Sequence, residues 1–598
     1  MRLPRLNAKA DQLTLLNQFM GVNKNYSIQD SEFSDMKNIT NDYFPVLANR
    51  KKRGIIRSLT KPQGFLGGQY LAYVDDDKLY YNENMVKQLA KTGKDRQLVM
   101  MGAYLVVFPD GYIYNTYSKE EATIENETSA DGVTITLCKL DGTAYNGDNT
   151  VVSDTEPEDK KKYWLDTSGE TAVIKMYSDT YSSWTAVATT YVKFEASGIG
   201  KGFAEYDAVH FAGVDTGEWC YNGYDFNQNN IIYACGDDYL IVVGLINLNH
   251  TNSKTITFKR ELPQMDFVCE QDNRIWGCSS DNHEIYACKQ GDPKNWYFYG
   301  GLDSDAYAVS VGSEDVFTGA IAYAGYVFFY KENGYHKLYG TKPSNYELTW
   351  KAGKGVQKGS ERSLVAVSDY IIYKARDGVC MYDGTTTKIS DNLGLEPYYD
   401  AVAGAYRDKY FISMRDADYN YRLYVYDTTK GTWVIEDDLR VKYMVMANAG
   451  FYVVDYSNQM FVVNNEVIEI ALFPMRDESH YYPSGDIYPG NGAAGDMEGT
   501  VEWSFETGDI GMMDPYHKYI KRLLIRLLLE TETKMRIEIM YDSSGEWINL
   551  MEYYATRKRS YEIPVVVRRC DHCRLRFSGF GDFKLFSIAK ATEEGSGR

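Results

Sequence analysis

The sequence of 598 residues has no long hydrophobic run and no excess of basic residues. Its longest apolar candidates, such as residues 239–248, fall short of the roughly 18 residues that suggest a membrane span, so none is predicted. Lys and Arg total 64 against 83 Asp and Glu, a formal net charge of −19. Phosphate binding usually needs a basic surface, which argues against a dedicated nucleic-acid or anionic-membrane binder. The polar N-terminus lacks the apolar core of a secretory signal, which predicts that the chain stays in the cytosol until assembly.

Catalytic and metal-binding patterns are also scarce. The seven His are far apart, and the nine Cys are odd in number and scattered, which does not suit a disulfide framework. The only close group is Cys570, His572 and Cys573, but zinc needs a fourth ligand and no second Cys pair exists. These three residues are candidate metal ligands, and a strand is the favoured interpretation. The sequence predicts no enzyme and no cofactor.

Tyrosine is abundant. The 53 Tyr bring the aromatic fraction to 14%, and aromatic residues favour strands. Short apolar runs bounded by Gly, Asp and Asn recur throughout, whereas long stripes of 3.6-residue period are nearly absent. This pattern predicts an all-β protein with little helix.

One unit recurs about seven times: an apolar run, a polar turn, and a second run ending near Tyr. The copies span residues 70–81, 103–114, 272–286, 325–339, 370–382, 409–426 and 451–463. Each copy indicates a β-hairpin, and the later copies are spaced like the blades of a β-propeller. A four-stranded blade cannot bury both its faces alone, so stacked blades are expected. The turn Asp427-Thr-Thr-Lys-Gly-Thr-Trp433 also resembles the end of a propeller blade.

The fold class expected is therefore a β-propeller of about seven blades with an inserted β-domain and a C-terminal, jelly-roll-like β-sandwich. The expected divisions are an N-terminal segment closing or docking onto the propeller (1–60), first blades (61–117), the inserted β-domain (118–260), remaining blades (261–480), a Gly/Pro-rich linker (481–496) and the sandwich (497–598).

The N-terminal segment carries three short motifs: Phe19-Met-Gly-Val-Asn23, Ser34-Asp-Met-Lys-Asn38 and Arg50-Lys-Lys-Arg-Gly54. In this order they resemble the opening of bacteriophage tail nozzle and tail stabilization proteins, which are β-propeller tail proteins of short-tailed phages. The resemblance makes interface candidates of Phe19, Gly21, Asn23, Ser34, Asp35, Met36, Asn38, Arg50, Lys51, Lys52 and Arg53. The basic cluster at 50–53 is expected to face a neighbouring subunit.

What the resemblance implies is a structural role in the tail of a virion, after synthesis in the host cytoplasm. Such a protein forms a homo-oligomeric ring, expected to be a hexamer, beside the head-to-tail connector and other tail proteins. It helps to seal the channel, retain packaged DNA and form the ejection conduit, with DNA passing transiently and without sequence-specific binding. Docking of tail fibres stays open. An acidic wall suits such a conduit because it repels phosphate.

Two other functions stay open. The first alternative is a propeller that binds or cleaves carbohydrate, since carboxylates are numerous, although no particular catalytic pair is indicated. The second is a propeller scaffold of the host.

Overall fold

The structure is a computed structural model that describes residues 12–169, 172–220, 223–463, 498–511, 518–556, 559–565 and 568–594. The chain divides into two compact units: residues 1–96, 330–335 and 351–598 form the first, and residues 97–329 and 336–350 form the second. Strands dominate, and short 3₁₀ turns occur at Pro343–Asn345, Glu361–Ser363 and Asp391–Leu393. The prediction of an all-β protein is confirmed. Within the described ranges, no helix is long and apolar enough to span a membrane.

Five short strands begin the described chain. They are β1 (Gln12–Leu16), β2 (Phe33–Lys37), β3 (Ile39–Thr40), β4 (Leu47–Asn49) and β5 (Gly54–Ser58). Two four-stranded sheets follow, with their strands in consecutive order. The first contains β6 (Pro62–Leu66), β7 (Ala72–Asp75), β8 (Lys78–Tyr81) and β9 (Asn84–Gln88). The second contains β10 (Gln97–Met101), β11 (Tyr104–Phe108), β12 (Tyr112–Asn115) and β13 (Glu121–Thr123).

The inserted domain contains two sheets. One is an eight-stranded sheet in the order β14-β25-β21-β22-β23-β20-β15-β24. The other is a four-stranded sheet, β16 to β19, whose strands lie between β15 and β20 in the sequence. The strands are β14 (Asn126–Ala130), β15 (Thr134–Cys138), β16 (Thr150–Ser153), β17 (Tyr163–Asp166), β18 (Val173–Ser178), β19 (Ser183–Ala186), β20 (Tyr191–Glu195), β21 (Ala208–Ala212), β22 (Asn229–Gly236), β23 (Tyr239–Val243), β24 (His250–Thr251) and β25 (Ile256–Arg260). The expected start of this domain at residue 118 is too early, because β13 pairs with β12 and so belongs to the preceding sheet.

The blade repeat then resumes. Its strands are β26 (Phe267–Gln271), β27 (Arg274–Ser279), β28 (Glu284–Ala287), β29 (Tyr307–Ser310), β30 (Phe317–Tyr323), β31 (Tyr326–Lys331), β32 (Gly334–Tyr339), β33 (Glu347–Ala352), β34 (Val365–Val367), β35 (Tyr370–Ala375), β36 (Gly378–Tyr382), β37 (Thr386–Lys388), β38 (Tyr399–Tyr406), β39 (Lys409–Arg415), β40 (Tyr421–Asp427), β41 (Thr432–Ile435), β42 (Val441–Ala447), β43 (Gly450–Asp455) and β44 (Gln459–Val462). Successive groups of four form one sheet each, and the last group takes β5 as its fourth strand.

In the part of the chain that the structure describes, eight sheets have four strands, and all but the one inside the insertion are blades of the repeat. The prediction of a propeller of about seven blades is confirmed. Because β5 pairs antiparallel with β44, a strand from the start of the chain completes the last blade. The expected linker, residues 481–496, and the end of the expected blade region lie outside the described residues.

The C-terminal sandwich contains β45 (Glu502–Thr507), β46 (Lys518–Tyr541), β47 (Ile548–Thr556), β48 (Ser560–Pro564), β49 (Arg569–Cys570), β50 (Cys573–Phe580) and β51 (Phe583–Glu594). Strand β46 has 24 residues with alternating burial. Its first half pairs with β48 and β51, and its second half pairs with β47 and β50. Strands β1 to β4 also join this sheet, so the first four described strands of segment 1–60 belong to the sandwich, whereas β5 belongs to a blade.

Buried apolar side chains lie between consecutive blades. In the first unit, Tyr73 of β7 lies in one core cluster with Tyr452 and Met460 of the last blade. In the second unit, Val106 of β11 lies in one cluster with Ile275 of β27. In these two pairs, each blade covers a face of its neighbour, which is the physical reason for the repeat.

Candidate functional site

The motifs at the N-terminus come together in one place within the first unit. We define the junction as residues 19–53 with the parts of the blade β38–β41 and of the sandwich that contact them. Phe19 and Phe33 lie in the hydrophobic core, with ring centroids 5.8 Å apart. Phe33 in turn meets Phe505 of β45 edge to face at 5.3 Å. Aromatic packing therefore fixes the start of the chain to the sandwich.

Gly21 lies against the backbone of β41. Its φ is +85°, and a Cβ added there would lie 2.2 Å from the carbonyl oxygen of Trp433. The next residue, Val22, donates its backbone N–H to that oxygen at 2.7 Å. Only glycine permits both this backbone conformation and this close approach. The close contact between the N-terminal segment and the blade therefore requires glycine at position 21.

Three polar motif residues are used in hydrogen bonds. The amide of Asn23 donates to Glu32 at 2.9 Å. The hydroxyl of Ser34 donates to the carbonyl oxygen of Thr507 at 3.0 Å. Asn38 donates from Nδ2 to the carbonyl oxygen of Glu502 at 2.6 Å and accepts from Nε of Arg50 at 2.6 Å. Each side chain therefore stabilises the folded chain itself.

Two further residues of the second motif, Asp35 and Met36, have contrasting contacts. Met36 is buried in the same core as Phe33. Asp35 accepts a hydrogen bond from Arg422 of β40 at 2.6 Å, and both side chains are partly exposed. Exposed ion pairs contribute little to stability, typically below about 1 kcal/mol. Met36 is thus the more important of the two for packing.

A buried network of charges crosses the junction. Arg50 donates from both terminal nitrogens to the carboxylate of Glu498, each at 2.7 Å. Arg53 donates to Asp437 and to Glu436, each at 2.6 Å. Both Arg side chains are only 5% exposed. The expectation that they face a neighbouring subunit is wrong, because their guanidinium groups are buried against carboxylates of the same chain.

The pKa values in this network follow from burial and charge. Burial would raise the pKa of Asp437, but the charges of Arg53 and Arg50 hold it below the ordinary value. Burial would likewise raise the pKa of Glu498, and hydrogen bonds from Arg50 keep it lowered. The pKa of Arg53 is raised: burial opposes its charge, but Asp437 and Glu436 outweigh that effect. All three groups are charged at neutral pH.

Lys51 and Lys52, between these two arginines, are exposed. Lys51 lines a cleft of about 410 Å³ beside the blade β38–β41. The lysines deeper in this cleft are already paired. Lys409 donates to Asp42 at 2.5 Å, and Lys430 donates to Asp427 at 2.9 Å. The charges of Lys409 and Lys430 are compensated within the chain, so these two lysines are not available to an anionic ligand.

The candidate metal ligands lie in the sandwich. Cys570 and Cys573 are buried, and burial raises the pKa of Cys570 to about 11 and raises that of Cys573 as well. His572 contacts the Ser543 hydroxyl through Nε2 at 2.8 Å and the Asp571 carboxylate through Nδ1 at 3.2 Å. Zinc binds thiolate, so each of these buried thiols would have to release its proton on binding the metal. Among the described residues, no group of three or more His, Cys, Asp or Glu could hold a metal ion.

The sequence interpretation missed the acidic partners of the junction: Glu436, Asp437 and Glu498. They lie more than 380 residues from the arginines that they bind. Ion pairs of such separation leave no periodic signal in one sequence. The turn ending at Trp433, in contrast, carries a local signal, because its sequence resembles the end of a propeller blade.

Comparisons with known proteins give no family. No protein-family profile and no curated protein matches the chain. Solved structures similar to it include an exo-β-1,3-galactanase from Phanerochaete chrysosporium, with 8% identity and a TM-score of 0.19 over 53% of this chain and 92% of that one. Chaetomium thermophilum Raptor has 8% identity and a TM-score of 0.28, covering 70% and 29%. Apo AztD from Citrobacter koseri has 9% identity and a TM-score of 0.25, covering 66% and 84%. Likeness this weak carries no argument about function.

Proposed function

We propose that the protein is a structural component of a bacteriophage tail, a ring protein of the nozzle or stabilization type. In this role it helps to seal the head-to-tail channel, to retain packaged DNA and to form the ejection conduit. The partners proposed are further copies of the same chain, expected to form a hexamer, the connector and other tail proteins. Docking of tail fibres is compatible with this role. The site of action is the tail of the virion.

The observation that supports this proposal most is where the residues of the three motifs lie and what they contact. Nine of the eleven residues that carry the resemblance contact the blade or the sandwich, or lie in their core; the remaining two, Lys51 and Lys52, are exposed. A family motif placed in this way keeps two domains in a fixed arrangement. Such a requirement suits a component that must withstand pressure in a channel, where function depends on interfaces.

The subunit contact is now best assigned to Lys51 and Lys52. They are exposed beside buried arginines, on a chain whose net charge is −19. A neighbouring copy would therefore offer many carboxylates. Complementary charge across an interface steers association and fixes its register.

Charge reversal at these lysines tests the proposal. We expect the wild-type chain to sediment as a multimer, alone or together with the connector protein of the same genome, and the double variant Lys51→Glu/Lys52→Glu to lose most of its self-association. The control is Lys91→Glu/Lys94→Glu, which reverses two exposed lysines in a loop of the same unit. If both variants associate equally well, Lys51 and Lys52 do not contribute to the interface. If the wild-type chain neither forms a multimer nor cosediments with the connector, the result counts against the tail function itself.

An assay of glycan turnover distinguishes the carbohydrate alternative from a structural role. Turnover of a glycan that is abolished by one Asp→Asn or Glu→Gln change would contradict a purely structural role. In the part of the chain described, no carboxylate pair is singled out by its geometry, so cleavage of a glycan has no specific observation in its favour.

A further inference from the structure

The small sheet β16–β19 of the inserted domain has two unlike faces. Leu165 of β17 and Ile174 of β18 lie directly opposite each other and point into the hydrophobic core of the domain. Residues at odd and even positions of a strand point to opposite faces. Trp164, Lys175 and Tyr177 therefore point away from that core.

The outward face carries a cluster of aromatic rings. Trp184 of β19 pairs directly with Tyr177 of β18, and their ring centroids are 5.6 Å apart. Trp184 also meets Trp164 edge to face at 5.6 Å. Trp164 is buried beneath its neighbours, whereas Trp184 and Tyr177 are partly exposed. In the turn between these strands, Tyr181 is 75% exposed.

Polar groups are interleaved with the rings. The ammonium of Lys160 lies 4.3 Å from the centroid of the Tyr177 ring and donates to its hydroxyl at 3.0 Å. The ammonium of Lys175 lies 4.7 Å from the Trp164 ring and donates to Asp166 at 2.6 Å. Hydrogen-bonding groups thus border apolar ring faces within one small surface. This is the combination that a sugar requires, since a pyranose has an apolar C–H face edged by hydroxyls.

The size of the face decides between a sugar and a protein partner. Four strands of about four residues cover roughly 13 Å by 19 Å, or about 250 Å². A stable protein interface buries about 800 Å² on each partner. The face alone is therefore smaller than a stable protein interface, and its area suits a short chain of two or three sugar rings.

We propose that the outward face of β16–β19 binds a glycan, with Trp184 and Tyr181 as the stacking rings and Lys160 as a hydrogen-bond donor to sugar hydroxyls. Binding requires no bond to break, and it does not depend on the tail function proposed above. The two proposals can therefore fail separately.

Calorimetric titration of the full chain with cellohexaose, chitohexaose and a galacturonic acid hexamer tests this site. We expect wild-type binding in the millimolar range to cellohexaose or chitohexaose. Trp184→Ala should weaken it about tenfold, as expected for losing roughly 50 Å² of apolar contact. The matched control is Trp350→Ala, which removes a tryptophan that is 40% exposed on β33 and should leave affinity unchanged.

Further variants keep the test decisive. If Trp184→Ala lowers the thermal midpoint strongly, Trp184→Phe retains a ring and should retain most of the affinity, while Tyr181→Ala should lose several-fold. No wild-type binding to any of the three hexamers would overturn the proposal. Binding to the galacturonic acid hexamer alone, lost in Lys160→Ala but unaffected in Tyr181→Ala and Trp184→Phe, would also overturn it, because that result indicates charge attraction without stacking.

Discussion

Replacement of Arg53 by methionine tests the buried charge network of the junction. Arg53 is the partner of two carboxylates, Asp437 and Glu436, and its side chain is 5% exposed. Methionine keeps much of the side-chain volume but removes the charge. Breaking a buried ion pair by removing one partner costs about 3–5 kcal/mol, because the other charge is left uncompensated. Since about 1 kcal/mol shifts the midpoint of a large domain by about 2–4 °C, the apparent midpoint should fall by about 10 °C.

The pH dependence of this loss identifies its cause. In the wild type the pKa of Asp437 is lowered, so this carboxylate contributes stability above its unfolded pKa, which is lost as pH falls through the folded pKa. Without Arg53, burial has less opposition and the folded pKa of Asp437 rises. The deficit of the variant should therefore be largest at pH 7 to 8 and smaller near pH 5, where protonation relieves the buried charge.

Thermal unfolding followed by circular dichroism at these two pH values is the assay, and Lys52→Met is the control. Lys52 is exposed, so its replacement should move the midpoint by no more than about 1 °C. A deficit for Arg53→Met that is the same at pH 5 and pH 8 would refute the argument from charge and indicate lost packing instead. A deficit no larger than that of the control would refute the importance of the network.

Three further predictions concern the junction and the sandwich. Gly21→Ala should lower the free energy of unfolding by about 2–4 kcal/mol, because the added Cβ meets the carbonyl oxygen of Trp433 in a strained backbone conformation. Gly132 also has a positive φ but has open space around it, so Gly132→Ala should cost about 1 kcal/mol. Chemical denaturation measures both values. Equal costs would contradict the proposed contact. Cys570 and Cys573 should resist alkylation by iodoacetamide at pH 8 in the folded chain and react on unfolding, because they are buried and their pKa values are raised. Mass spectrometry measures the extent of alkylation. Fast reaction of the folded chain would contradict the burial described. Zinc should likewise leave the thermal midpoint unchanged, and a clear increase would mean that the two thiols bind it.

The blade repeat could be predicted because its signal is local. Each of the seven predicted hairpins, such as 70–81 and 370–382, contains the two central strands of one blade. Hairpin turns and apolar runs lie within about 15 residues of each other, so one sequence reveals them. The outer strands of each blade gave a weaker signal, as β13 shows, with three exposed residues.

The remaining structure depends on pairing between distant parts of the chain. Strand β2 pairs with β45 across more than 460 residues, and β1 pairs with β51. Nothing in the local pattern of either strand names its partner. Strand β46 is a further case, because it continues through Glu532 at a φ of +65° with a shift in register between Leu529 and Lys534.

The sequence could indicate which residues form the candidate site, but it could not indicate what these residues contact. Motif residues such as Phe19, Gly21 and Asn38 could be found by resemblance, whereas their use in internal contacts required the structure. The basic run 50–53 shows why: two of its four residues are buried with carboxylates, and two are exposed. Composition alone cannot distinguish a buried arginine from an exposed lysine.

The mass of the purified protein in solution tests the proposed tail ring most directly. Light scattering of the chain, alone and with the connector protein, measures it without assuming a geometry. A closed ring predicts a mass several times 68.3 kDa for the chain alone, or, on addition of the connector, a complex that contains several copies of the chain. A stable species of 68.3 kDa that the connector does not change would contradict the proposed function.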